Sequence, residues 1–183
     1  MAFKDNTLTF EDTKIVEDST GMEVMMSWEA PIMEKSAEYI CQSKGDVLEI
    51  GFGMGICADY IQAQGVNSHT IVEIHPQIID KLKVWAEDKS NVTIVEGDWY
   101  SVEGLSTYDG IFLDTYGDDN LDNFKGFALL KAKDGGKITY WNNFEEERNE
   151  YSFDSISFEQ ISVSPDDNIY TKISKYYMPK VEV

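Results

Sequence analysis

The chain has little cysteine, histidine or proline, and it has no long apolar run. Its two cysteines, Cys41 and Cys57, both sit in segments that read as helix, with no metal-ligand spacing and no second pair. A disulfide framework and a metal site are excluded on that count. A reducing, cytoplasmic setting is expected, with both thiols as small core residues. Two histidines in 183 residues leave no room for a Ser-His-Asp or Cys-His arrangement. His69 and His75 flank one apolar run without a cysteine or carboxylate at ligand spacing, so structural or surface roles are expected of them. No stretch approaches the ~20 apolar residues that cross a bilayer. The opening Met-Ala-Phe-Lys-Asp-Asn lacks the apolar region of a signal peptide. With four prolines, no internal repeat and no low-complexity tract, a chain of 183 residues suits one α/β domain with a single core.

Positive charge is scarce as well: 15 lysines and arginines face 34 aspartates and glutamates, for a net charge of −19. Such a surface repels the phosphates of nucleic acids and anionic lipids, so neither is an expected partner. It attracts cationic small molecules or basic peptides, unless the charge serves solubility alone.

From Asp46 onward, short apolar runs alternate with amphipathic stretches, the pattern of βαβ units on a mostly parallel sheet. Strands are expected at Asp46–Phe52, Thr70–Ile74, Val92–Val95, Asp109–Asp114 and Lys137–Trp141. Helices are expected at Gly55–Gln64, at Pro76–Asp88 and around Asp122–Lys131, the last stopping toward Gly135-Gly136. Two alternating segments, Ser155–Val163 and Tyr170–Met178, read as an antiparallel hairpin closing the sheet edge. The run Glu145–Glu150 reads as a solvated face, and Asp118-Asp119 as a helix cap. Before Asp46 lie strand-like pieces at Thr7–Phe10 and Lys14–Val16, and a helix over Pro31–Gln42. Residues 1–45 are expected to form a lid and substrate-site segment on a main unit spanning 46–183, the whole one compact three-layer αβα body.

The main chemical signal is Glu49-Ile-Gly51-Phe-Gly53-Met-Gly55, placed where a strand meets a helix. Glycines there let the backbone approach a ligand and present N–H groups at a helix N-terminus. A nicotinamide fingerprint, Gly-x-Gly-x-x-Gly, would need glycine three residues past Gly53, where Ile56 stands. Acidic-x-Gly-x-Gly-x-Gly instead resembles the first motif of class I methyltransferases, which cradles S-adenosylmethionine. Glu73, ending the next strand, suits the ribose hydroxyls. Asp98 and Trp99 follow the third strand, where Asp98 can meet an adenine amine and Trp99 can stack on the ring or pack in the core.

Three further tracts narrow the resemblance: Val24-Met-Met-Ser-Trp-Glu-Ala-Pro-Ile-Met33, Val47-Leu-Glu-Ile-Gly-Phe-Gly-Met54 and Leu113-Asp-Thr-Tyr116. In order and spacing they resemble guanidinoacetate N-methyltransferase and the related fungal protein-arginine δ-N-methyltransferases, and the closing Lys175-Tyr-Tyr-Met-Pro179 does too. The resemblance implies a Rossmann-like seven-strand methyltransferase fold and S-adenosylmethionine as methyl donor. It also implies that Glu29 and Asp114 are the catalytic carboxylates gripping a substrate guanidinium, Asp114 bordering the donor as well. Met26 and Met33 would lie near the donor, with Met25 and Trp28 as packing residues. Tyr140-Trp-Asn142-Asn143-Phe144 departs from the family's Asn-Leu-Thr stretch, which leaves Asn142 and Asn143 as substrate-contacting candidates and makes the donor site firmer than the acceptor. A small guanidino compound is the first expected acceptor, arginine in a protein the second, and a non-catalytic donor-binding adaptor the third.

Overall fold

The computed structural model describes residues 2–165 and 172–183. Leu8–Phe10 (β1), Lys14–Glu17 (β2) and Glu23–Met26 (β3) pair antiparallel in a separate three-stranded sheet. The first two strands fall where the sequence places them. The third runs into the start of the Met-Met-Ser-Trp-Glu tract, and its four residues are too few to announce a strand. A single 3₁₀ turn at Ser27–Glu29 leads into α1 (Ala30–Ile40), which takes Pro31 in its first turn, where the missing N–H has no intrahelical partner to lose.

The main unit then alternates β4 (Asp46–Ile50), α2 (Ile56–Ala63), β5 (Ser68–Glu73), α3 (Pro76–Ala86), β6 (Val92–Glu96), β7 (Tyr108–Leu113), α4 (Phe124–Lys131) and β8 (Ala132–Tyr140). β9 (Ile156–Ser162) and β10 (Lys175–Glu182) close it. The seven strands lie in the order β6-β5-β4-β7-β8-β10-β9. The first five are parallel, while β10 inserts antiparallel between β8 and β9. This is the expected mostly parallel sheet with a closing hairpin. The turn expected at 164–168 and the strand start expected at Tyr170 fall largely outside the described residues.

Buried parallel strands present side chains to both faces in alternation, and each face has its own core. Val47, Ile71 and Phe112 meet α1, α2 and α3 on one side; Leu48, Ile50, Val72, Ile111 and Leu113 meet Phe124 and Ala128 of α4 on the other. The three-layer expectation holds. One local expectation fails. Gly135 and Gly136 do not stop α4; Ala132 is already extended and pairs with Tyr108, and the glycines lie where the β7–β8 register shifts. Long-range pairing overrides the local stop signal.

Because β4, β5, β6 and β7 all point one way, their carboxyl ends open on the same edge. In an open α/β sheet that crevice is where ligands bind.

Candidate functional site

A cavity of about 730 Å³ occupies that edge, within the range of small-molecule sites. Its floor is the turn after β4. Gly51 has φ +91°, and a Cβ there would collide with the carbonyl oxygen of Asp114. Glycine thus lets the ends of β4 and β7 close together, where the Asp114 N–H donates to the Ile50 carbonyl at 2.9 Å. Gly53, at φ +54°, faces the Met25 sulfur where a Cβ would stand. Gly55 lies just behind the wall as the residue capping α2.

Glu73 ends β5 on the cavity wall and braces this turn. One carboxylate oxygen accepts the Phe52 N–H at 2.9 Å, and the other accepts those of Ile74 and His75 at 2.8 Å each. Opposite, Asp98 and Trp99 line the wall after β6. The Trp99 indole N–H donates to Asp118 at 2.6 Å, and its ring packs on Phe127 at 4.8 Å. Asp98 accepts from the Asn120 amide at 2.9 Å. Asp118 also takes the Thr115 hydroxyl at 2.9 Å, so it ties the β7 loop to Trp99 and is no helix cap.

Asp114 sits at the floor just past β7, and no hydrogen-bond donor among the described residues reaches its carboxylate. Burial, then the nearby Glu49 charge, pushes its pKa up to about 7. Glu49 is wholly buried and raised by burial, against the opposing influence of His69. His69 Nε2 lies 2.8 Å from one Glu49 oxygen; the other has no hydrogen-bond partner. Sequence reasoning missed this pair. The available signal was parity: Glu49 shares a face with Val47, and His69 with Ile71, each a polar residue in an otherwise apolar stripe. His75, by contrast, caps α3 through Nδ1 at 3.2 Å and bonds the Asn6 carbonyl through Nε2 at 3.0 Å.

Glu29 does not line the cavity. It is buried and accepts the Met26 N–H at 3.1 Å, closing its own turn. Its charge nevertheless reaches the Tyr176 phenol of β10, which burial raises well above the ordinary value and which also feels Asp114. The two predicted carboxylates, far apart along the chain, therefore both act on one side chain. Met33 lines the cavity, as does Met25, whose sulfur accepts the Met54 N–H at 3.1 Å. Met26 faces away and takes the Trp28 indole at 3.3 Å. The roles expected of the two neighbours are reversed, because adjacent strand residues point to opposite faces. Asn142 is buried off the cavity, its amide spent on the carbonyls of Glu146 and Tyr177 at 3.1 and 2.8 Å. Asn143 is exposed beside it.

Above the cavity, Phe3 packs on His75 and Tyr116 with ring centroids 4.8 and 5.0 Å apart, so the N-terminal turn forms part of the wall. Among the described residues no helix is long and apolar enough to cross a membrane, and no cluster of side chains could hold a metal.

The family model described as guanidinoacetate N-methyltransferase matches residues 1–146. The chain is similar to protein arginine N-methyltransferase 2 of Aspergillus oryzae, 34% identical over 162 residues, covering 80% of this chain and 38% of that protein. It is also similar to the proteins of that name from Kluyveromyces lactis (35% over 157 residues) and Saccharomyces cerevisiae (31% over 156 residues), covering 77% of this chain and 38% of each relative. The chain thus spans well under half the length of these relatives. Among solved structures, N-methyltransferase NodS from Bradyrhizobium japonicum superposes with TM-score 0.62 at 11% identity, over 85% of this chain and 96% of that one. Spermidine synthase from Thermotoga maritima gives TM-score 0.61 at 14% identity, over 96% and 72%. At such identities the likeness is one of fold.

Proposed function

The chain belongs to the guanidinoacetate N-methyltransferase family of S-adenosylmethionine-dependent enzymes, and from that premise we propose that it methylates the guanidino group of an arginine side chain in a protein. The observation that carries the proposal is Asp114: a carboxylate without a partner, at the floor of a cavity whose glycine turn leaves backbone room for a ligand. S-adenosylmethionine fits there, with Gly51 and Gly53 supplying the close approach, Glu73 and Asp98 facing its polar groups and Trp99 its ring. Bound, it supplies an electrophilic methyl on a positively charged sulfur.

The acceptor sets the harder requirement. A guanidinium is planar and suits forked hydrogen bonds to carboxylates. One such pair is worth ~4 kcal/mol before desolvation, at ~4 Å and an effective dielectric of ~20. Yet a guanidinium is no nucleophile, and with a pKa of ~13 its free base lies roughly 8 kcal/mol uphill at neutral pH. Asp114 resolves this by taking the N–H proton as the nitrogen–methyl bond forms and the sulfur–methyl bond breaks. A carboxyl titrating near neutrality is poised for that exchange. Glu29 is buried off the cavity, but its charge and that of Asp114 both reach Tyr176, so it is assigned to the acceptor side, where its charge favours a guanidinium.

Charge favours arginine in a basic protein over a free guanidino acid. Among the described residues the cavity is lined by two cationic side chains, Lys4 and Lys83, and Lys83 is engaged by Glu96 at 2.7 Å. A carboxylate-bearing acceptor would enter a strongly anionic site, whereas a basic peptide would be drawn to it. The names of the curated relatives point the same way, so the first expectation, a small guanidino compound, becomes the second reading. The family description keeps it in play.

The test is to give the purified protein S-adenosylmethionine with guanidinoacetate, free arginine and a basic arginine-rich protein in parallel, following S-adenosylhomocysteine and locating the methyl by mass spectrometry. Fastest product with the protein acceptor is expected. Faster turnover of guanidinoacetate would hand the site to the small-molecule reading, and donor binding without product from any acceptor would leave a binding protein.

A further inference from the structure

β4 and β7 are parallel neighbours, with Glu49 opposite Phe112 and Ile50 opposite Leu113. The Glu49 and Asp114 carboxylates therefore border one cavity from adjacent strand ends. Glu49 Oε2 is held by His69 Nε2 at 2.8 Å, while Oε1 is buried and unpartnered. Gln62 Nε2 lies 3.1 Å from the other nitrogen of His69. A proton on Nε2 lets the imidazole donate to the Glu49 carboxylate.

His69 is the basic group against Glu49, and among the described residues no lysine or arginine is paired with either carboxylate. Glu73 of β5 and Asp59 of α2 add negative charge near Glu49. The thiols of Cys57 on α2 and Cys41 just past α1 are pushed up by burial and by Glu49 and stay neutral. Tyr176 of β10 is likewise held protonated, by burial first and then by the charges of Asp114 and Glu29.

We propose that Glu49 and Asp114 hold one proton between them in the donor-free site and surrender it when a sulfonium is bound, so that donor binding, rather than methyl transfer, releases the proton of the overall reaction. Two carboxylates that feel each other's charge at one cavity resist ionising together without a nearby positive charge, and such a pair titrates as a unit. His69 satisfies one Glu49 oxygen and leaves the other without a hydrogen bond, while the Glu49 charge is felt at Asp114. The protons balance over a cycle. In the transfer step the acceptor nitrogen gains the methyl, the sulfur becomes a neutral thioether, and the nitrogen's proton passes to the carboxylate pair. At that moment the pair loses the cation that kept it ionised. It stays protonated as products leave, and the next donor expels the proton. This rests on the methyl donor of the family and not on the arginine acceptor.

The experiment is calorimetric titration of the wild-type protein, without acceptor, in two buffers of different ionisation enthalpy. With Asp114 titrating near 7, S-adenosylmethionine is expected to release up to about half a proton per site at pH 7, rising toward pH 6 and fading by about pH 9. S-adenosylhomocysteine, whose sulfur is neutral, is expected to release several-fold less. Asp114→Asn should abolish the difference between the ligands, and Glu49→Gln should shrink it, because Asp114 then loses its repelling neighbour. Equal release with both ligands, no release with the sulfonium, or undiminished release in Asp114→Asn would each overturn the proposal. The wild-type comparison decides even if a variant fails to fold. With no acceptor present, the outcome is independent of whether arginine is ever methylated.

Discussion

Strands β4 and β7 carry acidic residues near both of their ends, and the molecule treats the two ends oppositely. Where the strands begin, Asp46 and Asp109 share Lys133 of β8, its ammonium 2.7 Å from each. That lysine, with Asn67 and Ser68, holds Asp46 down to about 2. Where the strands finish, Glu49 and Asp114 have no lysine, and Asp114 is pushed the other way, to about 7. The strands are the same, but one end is partly exposed and supplied with a counter-charge while the other is buried without one. Bringing like charges together in a dry place is costly unless a cation is supplied. One end supplies it from the chain. The other leaves the place to a ligand, which is what distinguishes a site from a structural network.

The comparison breaks most directly at Asp114. Replacing it with asparagine keeps the shape and removes the proton acceptor, so turnover in a radiolabelled methyl-transfer assay should fall by about 10³-fold, within the usual range for a general base. Retention of near-wild-type turnover would remove the role. The next effect is on stability. The folded Asp114 titrates above its unfolded value, so the folded donor-free protein binds more protons than the unfolded chain between about pH 4 and pH 7. Stability contributed there is present at low pH and lost as pH rises through 7, by about 2–3 kcal/mol once water in the cavity is allowed for. Urea titrations across that window should show the slope, and Asp114→Asn should flatten it.

How much of this was visible in the sequence depends on how local each signal was. The glycine turn and the strand–helix alternation were legible because glycine, proline and hydrophobic period act over a few residues. Asp114 was legible as a strand-end acid within a distinctive tract. The Glu49–His69 pair was not, since parity on each strand is local but the adjacency of β4 and β5 is a property of the sheet order. The same distinction explains Met25 and Met26: a four-residue strand carries too little pattern to say which methionine faces in. It explains Gly135 and Gly136 as well, where pairing with β7 extended the chain before the glycines could end a helix.

Smaller effects sharpen the picture at the acceptor. Glu29→Gln keeps the bond from the Met26 N–H but removes a charge near Tyr176. If Glu29 orients the guanidinium, the acceptor's KM should rise by about tenfold, the worth of one charge-assisted bond, while kcat moves less. Unchanged KM with an arginine peptide would assign Glu29 to holding its turn alone.

The smallest effect belongs to the balanced end. Lys133→Met removes the shared cation from two partly exposed carboxylates, and pairs of that kind contribute on the order of 1 kcal/mol. The sign differs from that of Asp114. Asp46 titrates below its unfolded value, so its contribution is present above about pH 4 and disappears as pH falls through 2. Denaturant midpoints at pH 7 should therefore drop slightly in Lys133→Met, and the drop should vanish by about pH 2. S-adenosylhomocysteine affinity should not change, because Lys133 lies at the opposite end of the sheet from the cavity. A loss of affinity matching that seen at the cavity end would mean that the two ends are one electrostatic unit, and that the uncompensated pair is set by the whole sheet rather than by what surrounds Glu49 and Asp114.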